Sequence, residues 1–175
     1  MRPQLALLAA SILALPATAA VSQMAPTKLV VPLKSSTGQD AGKVTFKQTK
    51  KGLKITVKLE NTPFGMHGVH VHANPVCDAP DFKTAGGHFN PDSKQHGFLN
   101  PMGHHAGDMP ASVDVGENHQ GEAIFTANYL TLTPGMPNSV YGHSIVVHEK
   151  ADDEKTDPSG ASGNRIACGV IPPAS

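Results

Sequence analysis

Between residues 28 and 60, apolar and polar side chains alternate with a period of two. Leu53, Ile55, Val57 and Leu59 interleave with Lys54, Thr56, Lys58 and Glu60, and Val44 and Phe46 interleave with Lys43, Thr45 and Lys47. A strand sends successive side chains to opposite faces, so this pattern describes half-buried strands of an antiparallel sheet. Residues 28–34 read as the strand before them, closed by Ser35-Ser36-Thr37-Gly38, and Lys50-Lys51-Gly52 reads as a turn. Residues 67–73, 111–116, 121–127, 143–149 and 165–171 carry further strand patterns, and no stretch sustains a helical period. Eight strands in a chain of this length predict an all-β protein with a closed or two-layered antiparallel sheet.

Three segments fall outside that pattern. Residues 74–110 and 150–164 are rich in Gly, Pro, Asn, Asp and His and have no apolar periodicity. Structureless loops of such length are usually functional, or tied down by something other than a core. The third is the N-terminus. Met1 and Arg2 give a positive start, residues 5–15 are an apolar run, and Ala17-Thr18-Ala19 fits a small-residue cleavage site. This three-part pattern predicts a secretory signal peptide over residues 1–19, and the run is too short to span a bilayer. Residues 20–175 are then the mature domain, exported and without stable membrane insertion.

Composition sharpens this picture in three places. Lys plus Arg and Asp plus Glu both total 14, a balance that argues against a nucleic-acid partner bound through a basic face. Removing residues 1–19 takes Arg2 with it and leaves Arg165 as the only arginine. Cys77 and Cys168 are the only cysteines, and an even count in an exported chain predicts that they pair. The 10 histidines are the oddest entry of all and point to metal handling or pH sensing.

Most of the histidines lie in or beside the two loops. His70 and His72 stand at i and i+2, so on a strand both imidazoles project from one face, within reach of one metal ion. Further on come His88 and His96, then His104-His105-Ala106-Gly107-Asp108. Three imidazoles and one carboxylate make a closed four-coordinate site of the kind zinc takes in structural roles, and such a metal could order the loop. Spacing alone does not choose between His104 and His105. His148 closes a strand and is followed four residues later by Asp152, placed to accept the outer N–H of a metal-bound imidazole.

Residues 65–72, 86–108, 142–153 and 163–171 together resemble copper/zinc superoxide dismutase, over essentially the whole mature chain and in that family's motif order. The resemblance implies an eight-stranded antiparallel Greek-key barrel or sandwich with two long functional loops, a fold already associated with this family. It implies copper bound by His70, His72, His88 and His148, and zinc bound by His88, His96, His105 and Asp108, with His88 bridging the two. His105 is preferred to His104 because the family places this ligand three residues before the Asp. Asp152 is implied as the carboxylate linking His70 to His96, Cys77–Cys168 as the intrachain disulfide, and Arg165 as the arginine beside copper.

The implied reaction turns superoxide into dioxygen and hydrogen peroxide, with His88 and Arg165 catalytic. The alternative is a non-catalytic exported copper-binding or copper-delivery protein on the same fold. Residues 72–77 look like the bacterial exported branch, which places the protein in the periplasm as a monomer or homodimer. The short loop over residues 153–163 carries one added cation, so Lys150 and Lys155 are the expected candidates for guiding superoxide. His67 is expected as a hydrogen-bonded support under the copper strand, and His104, His119 and His143 as surface or supporting residues. Met66, Met102, Met109 and Met136 are scattered through loops and are expected to pack rather than to ligate.

Overall fold

The computed structural model describes residues 27–174, so the expected signal peptide lies outside the described residues. Nine strands form: β1 (Lys28–Ser35), β2 (Asp40–Thr49), β3 (Gly52–Leu59), β4 (Gly65–His67), β5 (Val69–His72), β6 (Val113–Val115), β7 (Gly121–Ala127), β8 (His143–His148) and β9 (Arg165–Ile171). Every pairing is antiparallel, in one sheet of order β4-β6-β7-β3-β2-β1-β9-β8-β5.

β4 and β5 stand at opposite ends of that order, yet only Gly68 separates them in the chain. A residue spans at most about 3.6 Å, so the sheet must curl until its two edges are neighbours. The result is a nearly closed barrel. This crossing also explains why nine strands form where eight were expected. The segment read as one strand over 67–73 changes edges at Gly68, whose N–H bonds the Lys150 carbonyl and whose carbonyl accepts from His148, both at 2.8 Å.

The alternating residues fill the barrel. Val44, Phe46, Leu53, Ile55 and Val57 are fully buried, with Val69, Val71, Ile145 and Val147 from the other side. Complete burial of side chains this size contributes roughly 1.5–3 kcal/mol each. On β5 and β8 the outward-facing positions are buried too, because the two long loops lie across them. Val146 and Cys168 meet Phe82 and Ala85 of the first loop, where a single 3₁₀ turn (Lys83–Ala85) forms.

That loop is fastened to the barrel by polar and covalent links. Cys77 and Cys168 are disulfide-bonded across a sequence separation of 91. Arg165 donates from both terminal nitrogens, to the Phe82 and Gly86 carbonyls, each at 2.6 Å. The free edge of β5 is covered by the loop backbone, through Val71 N–H to the Gly107 carbonyl (2.9 Å) and Phe89 N–H to the Val71 carbonyl (2.8 Å). Gly107 is required there, since a Cβ would collide with the Val71 carbonyl oxygen.

Closing a loop of this size restricts the unfolded chain. Replacing Cys77 and Cys168 together by Ser is therefore expected to cost about 2–5 kcal/mol. The measurement is the thermal midpoint under non-reducing conditions, and an unchanged midpoint would contradict the account.

Candidate metal centre

β5 delivers His70 and His72 from its outer face, while Val69 and Val71 point into the barrel. β8 pairs with β5 and ends at His148, which stands opposite Arg165 of β9. A register shift between Val147 and His148 re-aims the last side chain, as bulges beside functional sites do. The first loop brings His88, His96, His105 and Asp108 over the same surface, and the second brings Asp152.

Seven residues form two groups of four whose ligand atoms lie within 4.8 Å of one another: His70, His72, His88 and His148, and His88, His96, His105 and Asp108. His88 belongs to both. In the second group Asp108 Oδ1 is the focus, 2.8 Å from His88 Nδ1, 3.0 Å from His96 Nδ1 and 3.3 Å from His105 Nδ1. Its other oxygen accepts from the Gly97 and His105 backbone N–H groups, at 2.9 and 3.0 Å.

Outward-facing nitrogens are held by acceptors, and this settles which nitrogens face inward. His72 Nδ1 donates to the Gly86 carbonyl at 2.9 Å, and His148 Nδ1 faces the Gly163 carbonyl at 3.4 Å. Asp152 takes His70 Nε2 on one oxygen (2.6 Å) and His96 Nε2 on the other (2.9 Å). Each imidazole so held turns a lone pair inward, which is how metal-binding histidines are prepared. Gly160 lies over Asp152 so closely that a Cβ would collide with its Oδ1.

The inward atoms fit a metal and little else. His72 Nε2 and His148 Nε2 face each other at 3.3 Å, two acceptors that repel unless a cation sits between them. His70 Nδ1 and His88 Nε2 are buried without any hydrogen-bond partner. Orphaned buried acceptors are costly, and a shared cation removes the cost. All-imidazole donors suit copper, whereas three imidazoles plus a carboxylate in a closed shell suit zinc.

Electrostatics point the same way. Burial, with the neighbouring imidazoles, pushes His88 down to about 3 and His148 down to about 2. Burial likewise holds His72 well below its ordinary value. All three are therefore uncharged near neutrality and free to donate lone pairs. Burial opposes ionisation of Asp108, but hydrogen bonds from His105, His88 and His96 outweigh it and keep the carboxylate far below its usual range.

The two groups differ in access. A cleft of about 440 Å³ opens onto His72, His88, His105, His148 and Arg165, with Lys94 and Asp157 among its lining. His96 and Asp108 have no exposure. What the fold and site define is a two-metal β-barrel protein whose cleft is lined by three members of the all-histidine group and two of the second, His88 being shared.

The comparisons with known proteins agree. The family model for copper/zinc superoxide dismutase matches residues 40–171. Among similar proteins, a copper/zinc superoxide dismutase of Aquifex aeolicus is 41% identical over 77% of this chain and 81% of its own length. A superoxide dismutase-like protein of Bacillus subtilis is 39% identical, covering 81% of this chain and 74% of that one. The crystal structure of a doubly substituted form of a Bacillus subtilis SOD-like protein superimposes with a TM-score of 0.78 at 38% identity, covering 82% of this chain and 96% of that one. The copper/zinc superoxide dismutase of Brucella abortus gives 0.66 at 29%, over 82% and 99%. The chain belongs to the copper/zinc superoxide dismutase family. It is an oxidoreductase of that family, whose cofactors are copper and zinc.

The expected ligand residues are brought together, with Asp152 and Arg165 beside them. His67 sits under the strand with its ring nitrogens 2.8 Å from the His148 and Pro63 carbonyls. His104, His119 and His143 each bond a backbone carbonyl and belong to neither donor group. Of the four methionines, Met109 packs in the core, whereas Met66 on the outer face of β4 and Met102 and Met136 in loops are exposed. Lys150 and Lys155 do not line the cleft; Lys94, from the first loop, does.

Tyr129 carried no signal in the sequence. It follows β7 and donates its hydroxyl to the Asp108 carbonyl at 2.9 Å. Its ring packs edge-on against His104 (4.6 Å), which stacks on Phe98 (3.9 Å). Tyr129 thus braces Asp108 from behind. Tyr129→Phe is expected to weaken retention of the metal in the second group roughly twofold to tenfold, the worth of one hydrogen bond. Chelator competition measures this, and unchanged retention would show that Asp108 is held without the hydroxyl.

Proposed function

We propose that the protein dismutates superoxide to dioxygen and hydrogen peroxide, with copper held by His70, His72, His88 and His148 and zinc by His88, His96, His105 and Asp108. The observation that carries this reading is that three of the four residues of the all-histidine group line the cleft beside Arg165, whereas two of the four in the second group, His96 and Asp108, lie fully buried away from it. Bound copper supplies the one-electron chemistry, accepting an electron from one superoxide and returning one to a second, whose reduction to hydrogen peroxide consumes two protons.

The chain's own residues do the rest. Arg165 offers a fixed positive charge at the cleft, and the two carbonyls that hold its guanidinium leave further N–H donors for a small anion. Lys94 adds a second cation on the cleft wall. His88 is assigned the proton: its Nε2 is buried and unpartnered, and of the two such imidazoles His88 is the one that lines the cleft, placed to hold a proton for the departing peroxide. Zinc, having no redox chemistry, would fix His88 from its Nδ1 side and order the loop.

Export is part of the same proposal. The N-terminal pattern and the disulfide support removal of residues 1–19 and an oxidising, periplasmic setting for a monomer or homodimer. Among the described residues no helix is long and apolar enough to cross a membrane.

The second reading, a non-catalytic copper-binding protein, is kept in view by the relatives named only as SOD-like. It predicts a missing ligand or a missing cleft cation. Here the seven ligand residues and Arg165 are all present.

Two variants test the proposal. His148→Ala is expected to abolish dismutation and lower copper content while zinc content stays at one per chain. Full activity would remove His148 from the copper set. Arg165→Ala is expected to lower the rate per bound copper and to weaken inhibition by small anions while copper remains bound. An unchanged rate per copper would contradict the role given to Arg165.

A further inference from the structure

Equal totals of cations and acids suggest a surface without a basic face, but the fold segregates the charges. Residues 28–59, the β1–β2–β3 meander, contain eight lysines and one acid, Asp40. Residues 60–174 contain four lysines and Arg165 against 13 acids. The net balance hides a strongly cationic sheet on an otherwise anionic body.

The register arranges the lysines in rows. Lys28 lies opposite Lys47, and Lys47 opposite Lys54, across three neighbouring strands. Four residues along, Lys43 lies opposite Lys58. Lys50 and Lys51 extend the first row at the β2–β3 turn. All seven side chains are exposed, and among the described residues the only ion pair they make is Lys58 with Glu122, at 3.0 Å. Like charges placed directly opposite on adjacent strands are unfavourable. Among the described residues no acid pairs with them in the row of Lys28, Lys47 and Lys54.

Between the rows runs a third: Val30, Thr45, Thr56 and Ile124, aligned by the same pairings. Val30 is 48% and Ile124 55% exposed. The three rows carry neither an aromatic ring, on which a nucleic-acid base would stack, nor an arginine, which would grip a phosphate in a fixed fork. They recognise charge density over an open area rather than a shape. β2 is the middle strand of the nine, so in the closed barrel this face lies across from the β4–β5 seam. None of its residues lines the metal cleft.

We propose that the β1–β2–β3 face docks the protein, without insertion, on a bilayer surface rich in anionic phospholipid, leaving the cleft turned outward. The lysines meet the headgroup phosphates, and Val30 and Ile124 lie at headgroup level between them. Attraction of this kind grows with each lysine near the surface and fades with salt.

The test uses metal-loaded protein purified from an exporting host, sedimented with phosphatidylcholine vesicles with and without phosphatidylglycerol. Binding to the anionic vesicles alone is expected, and it should weaken steeply as the Debye length falls from about 30 Å to about 3 Å with added salt. The triple variant Lys28→Gln, Lys47→Gln, Lys54→Gln should bind roughly tenfold more weakly or worse, with dismutation unchanged. A control carrying Lys83→Gln and Lys155→Gln, both exposed and outside the meander, should bind within about twofold of the parent. All forms share one N-terminus, so the leader cannot produce a difference between them. Absence of binding, equal binding to neutral vesicles, or equal loss in both variants would overturn the proposal. Binding of soluble polyphosphate without binding of vesicles would overturn it as well, and would point to a polymeric anion instead.

Discussion

His88 lies between two sets of ligand atoms, its Nδ1 2.8 Å from Asp108 Oδ1 and its Nε2 turned, unpartnered, toward the histidines of the other set. Neither set is complete without it. Its ring lies 4.0 Å from that of His70 and 5.4 Å from that of His105, centroid to centroid, so a shift of the loop that carries it would open both sets together. The surrounding architecture can be understood as the means of holding this one imidazole still. Asp108 fixes it from one side. Asp152 fixes His70 and His96 on its two flanks, and Tyr129 holds the backbone of Asp108.

The loop that carries His88 has little hydrophobic core of its own, so other forces must offset its ordering entropy. Four of them are visible. A disulfide ties it to β9, and Arg165 grips two of its carbonyls. Its backbone bonds the exposed edge of β5, and the buried patch of Phe82 and Ala85 packs on Val146. Arg165 thus serves the loop and the cleft at once, so fixing the loop also fixes the positive charge beside the all-histidine donor set. Charge is segregated on the larger scale too, with the lysine rows on the meander and the metal sites on the far strands.

The sequence made the strands of the meander legible because their alternation is regular and one face of each is fully buried. The ligand histidines were legible for a different reason: a strand's two-residue period and the loop spacings leave few ways to gather four donors. The division of residues 67–73 was not, because Gly68 interrupts no hydrophobic pattern and only barrel closure reveals the change of edge. Tyr129 was silent because a single hydroxyl-to-carbonyl bond across 21 residues leaves no periodicity. Lys94, the cleft lysine, was passed over for Lys150 and Lys155 because only the folded loop shows which side chain turns inward. The basic face escaped for the opposite reason, since a total charge averages away what strand register puts in rows.

Two donor groups joined through His88, the all-histidine one beside Arg165 at the cleft, stand at the centre of the proposed chemistry. Its most direct test is superoxide consumption per bound copper in protein loaded with both copper and zinc. Superoxide dismutases are a standing example of catalysis near the diffusional ceiling of about 10⁸–10⁹ M⁻¹s⁻¹, and a rate approaching that ceiling is what the account predicts. A negligible rate with both metals bound would contradict it, and would leave the cleft as a copper-holding site without turnover.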